Sequence, residues 1–409
     1  MSLLSWLKRI NVVSLSNISR FSVVLLIVFL VIQVANARVW IIPDDYPTIN
    51  QAIIAASEGD IIKVKSGVYN ENILVDKSIE LIGESPNNTR ITGKITIEAS
   101  NVKISKFNLD GNIMIKGCNC EIKENIINLG IGISGNNNII SRNKIINIKG
   151  WGYIVISGNN NILGKNCISS YFITIGYDYY SQRLIPSSDN RMENNEFINA
   201  TVLVIGNKNY VCKNLFEGKY YFSDPSFTNE PFPLLCILLL GRENKIIGNT
   251  IINYSYGVTT SIPSVLLNYE CWKGVDAALM KLGAPKYGND NIIALNTFIN
   301  NAYDAIDNGK NNKWYDERLK VGNYLEKWAE PDRNGDRIVD NPYVIPGNAR
   351  TTDKYPLVSL PSPELIDKAL KPSIFSQVDT SQKKSPGFEI LAVIIALVVI
   401  ILKGRNGRN

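Results

Sequence analysis

The chain of 409 residues contains no histidine. This absence excludes Ser-His-Asp and Cys-His catalysis, and it excludes histidine-based sites for zinc, copper or non-haem iron. Thioether ligands are also scarce, since the chain has only four methionines, one of which is Met1. Any chemistry must therefore use carboxylates, lysine, arginine, tyrosine or cysteine.

Composition indicates a folded body and gives no support for nucleic-acid binding. The chain is 45% hydrophobic and 20% charged, which is typical of a protein with a large core and not of a disordered chain. Its formal net charge of +6 is modest, and part of that charge lies in the two chain ends. Nucleic acid is therefore not expected as a partner.

The cysteines show no spacing that is typical of a metal site. They are Cys118, Cys120, Cys167, Cys212, Cys236 and Cys271. In an oxidising compartment six cysteines could pair in many ways, and Cys118-Asn119-Cys120 lacks the ligand spacing of a zinc knuckle. We expect most of them to be reduced and buried.

An apolar run near the start of the chain predicts export. Phe21 to Val34 follows a cationic leader and precedes Ala35-Asn36-Ala37, which is the layout of a secretory signal peptide and its cleavage site. We therefore expect residues 1–37 to be a signal peptide. The alternative is an uncleaved N-terminal anchor, because the cationic leader is unusually long.

A second apolar run lies at the other end. Pro386-Gly387-Phe388 introduces Ile390 to Leu402, and a basic tail follows. This run has 13 residues, fewer than the roughly 20 that are needed to cross a bilayer. Residues 386–409 resemble the archaeal PGF-type C-terminal sorting signal, which implies that the tail is cut and replaced by a lipid. The alternative is a short tail anchor, and both alternatives place the body on the outer face of the cell membrane.

Two further features fit an anchored, exported body. Residues 361–385 are rich in Pro, Ser, Gln and Lys, and this composition predicts a linker. Glycosylation sequons begin at Asn87, Asn199 and Asn253. These three asparagines are therefore candidate glycosylation sites.

A short sequence motif of asparagine and aliphatic residues recurs along the chain. Its marked asparagines are Asn125, Asn143, Asn166, Asn195, Asn214, Asn249 and Asn296. Their spacings are 18, 23, 29, 19, 35 and 47 residues. A basic period near 20 with insertions indicates a solenoid, because one unit cannot bury its apolar face without a neighbour.

The residues of the repeat predict an all-β protein, a right-handed parallel β-helix over residues 38–311. The apolar stretches are short and rich in Ile, Val and Leu, which favours strands over helix pairs. Asparagines at the corners are expected to form hydrogen-bonded ladders along the axis. The residues predicted to fill the bore are Ile122, Ile140, Leu163, Val211, Ile247 and Ile293.

Three insertions lengthen the spacing between successive repeats. They lie at residues 171–188, 219–238 and 257–288, and the last contains a short helix predicted around Val275 to Leu282. They are rich in aromatic residues, whose apolar faces and polar edges suit stacking on sugars. The ligand-binding candidates are Tyr177, Tyr179, Tyr180, Tyr220, Tyr221 and Trp272. The alternative is that these rings pack the loops onto the coil.

Motifs at both ends suggest a family. Thr48 to Gln51 is a capping box that predicts a helix over Ile49 to Ser57, and a Gly-Asp turn, Gly-x-Tyr-x-Glu and Leu-Ile-Gly-Glu follow it. The region 312–360 is predicted to form a C-terminal cap and contains Gly322-Asn-Tyr324 and Asp353-Lys-Tyr-Pro-Leu357. The N-terminal motifs resemble the start of secreted β-helix proteins, the carbohydrate-binding and sugar-hydrolase group that includes pectinesterases. The C-terminal series resembles the NosD-type β-helix family, commonly called copper-binding. The resemblance implies a parallel β-helix, but copper is doubtful here because histidine is absent.

One segment of the cap has the oxygen pattern of a calcium loop. The ligands would be the side chains of Asp332, Asn334, Asp336 and Asp340 and the carbonyl of Ile338. Arg337 occupies the usual glycine position, and no glutamate closes the loop. The alternative to a structural calcium site is a surface turn whose side chains bond their own backbone.

The sequence therefore leaves three functions open. The first is a non-catalytic carbohydrate-binding or scaffold protein that contacts a surface polysaccharide. The second is a polysaccharide lyase or hydrolase that uses carboxylates near the lateral loops, with Asp224, Arg183 and Asp178 as candidate catalytic residues. The third is a NosD-like accessory protein for copper or cofactor assembly.

Overall fold

The structure is a computed structural model that describes residues 37–146, 152–169, 171–178, 183–185, 187–219, 221–222 and 232–371. Residues 1–36 and 372–409 lie outside the described residues, and so do the predictions of a signal peptide and of a C-terminal anchor. The chain divides into two units, Met1–Ser362 and Pro363–Asn409.

Each coil of the first unit contributes a short strand to each of three parallel sheets, so the chain forms a right-handed parallel β-helix, as predicted. Sheet 1 consists of Val39–Ile42, Ile61–Val64, Glu80–Gly83, Lys103–Ser105, Glu121–Lys123, Ile139–Ser141, Ile162–Gly164, Arg191–Glu193, Tyr210–Cys212, Lys245–Ile247 and Ile292–Ala294. Sheet 2 consists of Gly67–Tyr69, Thr89–Ile91, Asn108–Leu109, Ile126–Ile127, Lys144–Ile146, Cys167–Ser169, Glu196–Ile198, Leu215–Glu217, Thr250–Ile252, Thr297–Ile299 and Tyr324–Leu325. Sheet 3 consists of Ile73–Val75, Ile95–Ile97, Ile113–Ile115, Ile131–Ile133, Gly152–Ile156, Tyr171–Ile175, Thr201–Val204, Leu235–Leu239, Tyr256–Thr259 and Tyr303–Ile306.

Among the described residues, short antiparallel pairs and four helical segments lie outside these sheets. The pairs are Tyr177–Asp178 with Arg183–Leu184, Tyr221–Phe222 with Phe232–Pro233, and Tyr343–Val344 with Thr352–Asp353. The helices are α1 (Ile49–Ala55), a 3-10 helix (Ser264–Asn268), α2 (Glu270–Lys281) and α3 (Pro363–Leu370). Among the described residues no helix is both long enough and apolar enough to span a membrane.

The bore is filled by aliphatic residues from all three sheets, and most strands of sheet 3 contribute two of them, such as Ile113 and Ile115. In sheet 1, Ile122, Ile140, Leu163, Val211 and Ile293 occupy the same inward position on different coils and are buried, as predicted. The prediction for Ile247 was wrong. Val211 and Ile293 pair with Ile246, whereas Ile247 pairs with Cys212 and Ala294 on the outer side of the strand, where it is buried outside the main core cluster.

The repeated asparagines form a continuous ladder between sheets 1 and 2. In each step the side-chain oxygen of an asparagine accepts from the backbone N–H and side-chain amide of the asparagine one coil earlier. The ladder consists of Asn125, Asn143, Asn166, Asn195, Asn214, Asn249, Asn296 and Asn323. The ladder ends on the buried carboxylate of Asp353, which accepts from the backbone and side chain of Asn323 at 2.6 and 3.0 Å.

A second asparagine ladder runs between sheets 3 and 1. It consists of Asn138, Asn161, Asn190, Asn209, Asn244, Asn291 and Asn312. Most of its members follow a glycine by three residues, and that glycine lies directly against the preceding coil. An added Cβ at Gly135, for example, would lie 1.9 Å from the carbonyl oxygen of Gly117.

This second ladder also ends on a buried aspartate. The amide of Asn312 donates to Asp307 Oδ1 at 2.9 Å, and Trp314 Nε1 donates to Asp307 Oδ2 at 2.9 Å. In both ladders the backbone N–H of each asparagine before the last donates toward the C-terminal end, and so does every ladder amide of the described chain except that of Asn138. Each ladder therefore needs a final acceptor at that end. Asp307, which lies just before the C-terminal cap, and Asp353, which lies within it, supply these acceptors.

The N-terminal motifs are explained by helix α1. Thr48 Oγ1 accepts from the backbone N–H of Gln51, which is one half of the predicted capping box. Glu71, the last residue of Gly-x-Tyr-x-Glu, accepts from the backbone N–H groups of Ile49 and Asn50 at 3.0 Å. A carboxylate at a helix N-terminus is favourable because the free N–H groups point toward it. The helix ends at Ala55, two residues before the predicted end.

The predicted linker contains helix α3 (Pro363–Leu370), so its first residues are helical. Glu364 lies in the first turn of this helix and Lys368 in the last, which places both charges favourably for the helix dipole.

Candidate functional site

The lateral insertions build a second apolar cluster on the outer face of sheet 3. Helix α2 begins at Glu270, five residues before the predicted start, and ends at Lys281. Its Trp272 and Leu279 pack with Leu203, Leu238 and other outward residues of the sheet. The helix and the 3-10 segment therefore cover this face of the solenoid.

Two of the predicted sugar-binding rings are buried in this cluster. Tyr177 is 5% exposed and Trp272 is 4% exposed. Neither ring offers a free face to a ligand in this arrangement, so for these two the packing alternative fits. Tyr179, Tyr180 and Tyr220 lie outside the described residues, and Tyr221 is described only as part of a strand.

The candidate catalytic residues are only partly described. Asp178 and Arg183 pair across the short hairpin of the first insertion, and the Arg183 side chain is exposed. Asp224 lies outside the described residues, so its distance from Arg183 is not defined. The predicted catalytic set is therefore neither assembled nor separated by the structure.

Carboxyl groups with raised pKa values occur at the C-terminal end of the solenoid. Burial raises the pKa of Asp353 to about 7, although N–H donors from Asn323 and Tyr355 act in the opposite direction. Burial likewise raises the pKa of Asp304, while the side-chain amide of Asn301 and the charge of Lys327 oppose the rise. Asp353 ends a structural ladder and Asp304 is 6% exposed, so neither lies in an open groove.

An exposed aromatic platform lies at the end of sheet 3, beside the insertions. The rings of Tyr256 and Tyr303 are parallel, with centroids 5.2 Å apart and an interplanar angle of 6°. Tyr256 is buried in the lateral cluster, whereas Tyr303 is 52% exposed. The stack fixes Tyr303 against a rigid support, which is the arrangement that suits stacking on a sugar ring.

The sequence-based reasoning missed this platform, although a signal was present. Tyr256 and Tyr303 pair directly in the sheet, and they are separated by 47 residues, as are Asn249 and Asn296. Equal spacing places each pair at equivalent positions on the same two coils. The rule that locates the ladder therefore also locates the tyrosine stack.

The predicted calcium loop is a turn held by its own backbone. The carboxylate of Asp332 accepts from the N–H groups of Gly335, Asp336 and Arg337, and Asp336 Oδ1 accepts from the N–H of Ile338 at 2.8 Å. Within the described ranges no three acidic or cysteine side chains converge as a metal site. These side-chain to backbone bonds are those of a turn, and calcium binding stays a prediction.

The cysteine pair lies in the ladders and not in an open site. Cys120 occupies a ladder position and donates its backbone N–H to Asn138, and Cys118 Sγ accepts from the N–H of Asn136 at 3.3 Å. Burial raises the pKa of the Cys120 thiol, which opposes formation of the thiolate that a metal needs. Both thiols are free, as are those of Cys167, Cys212 and Cys236.

The three sequons differ in exposure. Asn87 is exposed in a turn, whereas Asn199 and Asn253 are half-buried at coil corners. Asn253 also accepts a hydrogen bond from the amide of Asn300 at 2.8 Å. Only Asn87 is freely presented among these three.

Comparison with known proteins finds only distant structural similarities. No protein-family model matches the sequence, and no curated protein sequence matches it. Among solved structures, the family 6 alginate lyase AlyGC is 16% identical, with a TM-score of 0.37, and the match covers 64% of this chain and 44% of that enzyme. The chain therefore matches less than half the length of AlyGC.

Other solved structures give the same result. A mannuronic acid specific polysaccharide family 6 lyase from human gut microbiota is 14% identical, with a TM-score of 0.41, covering 70% of this chain and 84% of the lyase. The DFA-IIIase of Arthrobacter chlorophenolicus, without its lid, is 14% identical, with a TM-score of 0.44, covering 78% of this chain and all of the enzyme (100%). All three TM-scores are below 0.5, so the parallel β-helix rests on the strand pairing of this chain itself.

Proposed function

We propose that this protein is a glycan-binding β-helix protein that does not turn over its ligand. The observation that carries the proposal is the platform of Tyr303, a half-exposed ring fixed by a parallel stack on a buried tyrosine. A rigid solenoid positions such a ring without the entropic cost of ordering a loop. The remaining loop tyrosines, Tyr179, Tyr180, Tyr220 and Tyr221, are candidates to extend the platform.

The enzyme alternative rests on the lateral loops and not on the described carboxylates. In the described chain, the carboxyl groups whose pKa is raised are Asp304 and Asp353, which are buried at the C-terminal end of the solenoid. A lyase or hydrolase would have to use Asp224 with Asp178 or Arg183. Stacking without a matched acid and base gives retention of the glycan without cleavage.

The test measures retention and cleavage separately. A panel of neutral and acidic polysaccharides is immobilised, and the eluate is assayed for new reducing or unsaturated ends. We expect retention without new ends, at least tenfold weaker for Tyr303→Ala and unchanged for Tyr303→Phe, which keeps the ring. New ends that disappear in Asp224→Asn would support the enzyme, and equal retention by Tyr303→Ala would refute the platform.

The location of the protein is part of the same proposal. We place the body on the outer face of the cell membrane, because an apolar run and a basic tail follow the solenoid. Calcium is proposed only as a structural ligand of residues 332–340, and copper through Cys118 and Cys120 belongs to the accessory-protein alternative. A melting temperature that is equal in chelator and in millimolar calcium would remove the calcium proposal.

A further inference from the structure

We propose that the outer face of sheet 1 is a second binding surface, which takes an acidic polysaccharide along the solenoid axis. Its centre is a row of three side chains on consecutive coils, Arg191, Tyr210 and Lys245, which pair directly in the sheet. The guanidinium carbon of Arg191 lies 5.5 Å from the Tyr210 ring centroid, and Lys245 Nζ lies 5.3 Å from it. The ring therefore holds both cations in fixed positions by cation–π attraction.

The row continues with an apolar residue at each end. Ile162 pairs with Arg191, and Ile292 pairs with Lys245, and both isoleucines are half-buried. Successive coils of a parallel sheet are about 4.8 Å apart. A chain of sugars that runs along the axis would therefore meet apolar, cationic, aromatic, cationic and apolar groups in turn, which fits sugars that carry both apolar faces and carboxylates.

A second line of cations borders this row. Lys165 and Lys213 occupy the left-handed turn that follows two of the strands, with φ of 59° and 55°. Arg142 occupies the same turn one coil before Lys165, and Lys144 follows it at the start of the next strand. Arg142, Lys165 and Lys213 therefore lie in line along the axis, with the uncharged Asn194 at the same turn between Lys165 and Lys213. A line of like charges attracts an extended anion better than a compact one.

Two nearby acids each pair with an arginine of this surface and, among the described residues, leave the charges of Lys165 and Lys245 without a carboxylate partner. Glu193 pairs with Arg191, and Glu124 lies 3.6 Å from Arg142. Within the described chain no carboxylate forms an ion pair with Lys165 or Lys245. Glu193 also favours a polysaccharide over a nucleic acid, because its carboxylate can accept from sugar hydroxyls, whereas a phosphodiester backbone has no donor for it.

This surface is separate from the platform of Tyr303, which belongs to sheet 3. The inference therefore does not depend on the proposed function. If Tyr303→Ala loses glycan retention while binding of an acidic polysaccharide is kept, the two sites are distinct.

The experiment compares binding of the full-length protein to polygalacturonate, to neutral dextran and to single-stranded DNA over a range of salt concentrations. The key variant is Lys165→Glu/Lys245→Glu. Its matched control is Lys63→Glu, an exposed lysine on the outer face of the same sheet near its other end. Lys165→Gln/Lys245→Gln removes the charges without reversing them, and urea midpoints confirm that the variants are folded.

We expect polygalacturonate binding that weakens with salt, falls at least tenfold in the Lys165→Glu/Lys245→Glu variant, falls less in the glutamine variant and changes less than twofold in Lys63→Glu. Equal binding by all variants would overturn the proposal. Tighter binding of single-stranded DNA with the same dependence on Lys165 and Lys245 would also overturn it, because the surface would then select nucleic acid.

Discussion

Replacing Asn195 by alanine should lower the free energy of unfolding by about 4 kcal/mol, because it opens the middle of the first asparagine ladder. Asn195 is 3% exposed. Its Oδ1 accepts from the backbone N–H and the side-chain amide of Asn166, both at 3.0 Å. Its amide donates to the carbonyl of Leu163 at 2.7 Å and to Asn214 Oδ1 at 3.0 Å.

The magnitude follows from the groups that lose a partner. The two donors of Asn166 have no replacement acceptor in the dry interior, and each unsatisfied buried donor costs about 1–3 kcal/mol. The two acceptors of the Asn195 amide, Leu163 O and Asn214 Oδ1, add a smaller cost when they lose their donor. Asn214 Oδ1 still accepts from the backbone N–H of residue 195 at 2.9 Å. The loss of buried side-chain volume adds a smaller cost.

The assay is urea unfolding followed by circular dichroism at 25 °C, with Asn87→Ala as the control because Asn87 is exposed. We expect the control to change stability by less than about 0.5 kcal/mol. Asn195→Asp is a second variant, which keeps the acceptor for Asn166 but sets a negative oxygen against two acceptors. It should be destabilised most at neutral pH and partly recover in acid. A loss below about 1 kcal/mol for Asn195→Ala would refute the view that the ladder stabilises the solenoid.

Three further perturbations test other parts of the structure. Burial raises the pKa of Asp353 to about 7, so between roughly pH 4 and 7 the native state keeps a proton that the unfolded chain has lost. This stabilisation is complete below the pKa of the unfolded chain and is lost as pH rises through 7, so the free energy of unfolding should fall by about 2 kcal/mol from pH 5 to pH 8. Asp353→Asn should remove most of this pH dependence. A wild-type stability that does not change with pH would contradict the prediction. Gly135→Ala should prevent folding, because its Cβ would meet the carbonyl oxygen of Gly117 at 1.9 Å. Gly274→Ala in helix α2 has open space around the new Cβ and should stabilise the protein by about 0.5–1 kcal/mol. Urea midpoints compare the two variants, and similar effects would show that contact between coils is not the cause. Deletion of residues 386–409 should release the protein from membranes into the soluble fraction, and a deletion variant that stays fully membrane-bound would point to a retained N-terminal anchor instead.

The sequence by itself determined the solenoid, because stacked coils require the same type of residue at equivalent positions of each coil. The asparagine at each corner and the aliphatic residue three positions before it recur together, as in Ile122 with Asn125 and Leu163 with Asn166. This spacing also identifies Ile246, three residues before Asn249, as the inward residue. The prediction for Ile247 was wrong because it treated the two residues of an aliphatic pair as interchangeable, although adjacent residues of a strand face opposite sides of the sheet.

Only the tertiary structure decided which polar residues end the ladders. Asp307 and Asp353 are separated from their terminal asparagines by 5 and 30 residues, and each comes into contact through the folding of the C-terminal cap. No local pattern marks them as ladder ends. Their role follows from the direction of the amide donors, which is a property of the whole stack.

The fate of the aromatic residues was likewise decided by packing between distant segments. Three aromatic residues of similar chemical character lie near the lateral insertions. Tyr177 and Trp272 are buried, whereas Tyr303 is half-exposed. Local sequence sets the amphipathic character of such a ring. Which face it buries depends on whether a helix such as α2 covers the sheet at that coil, because burial is a property of the contacts that distant parts of the chain make with each other.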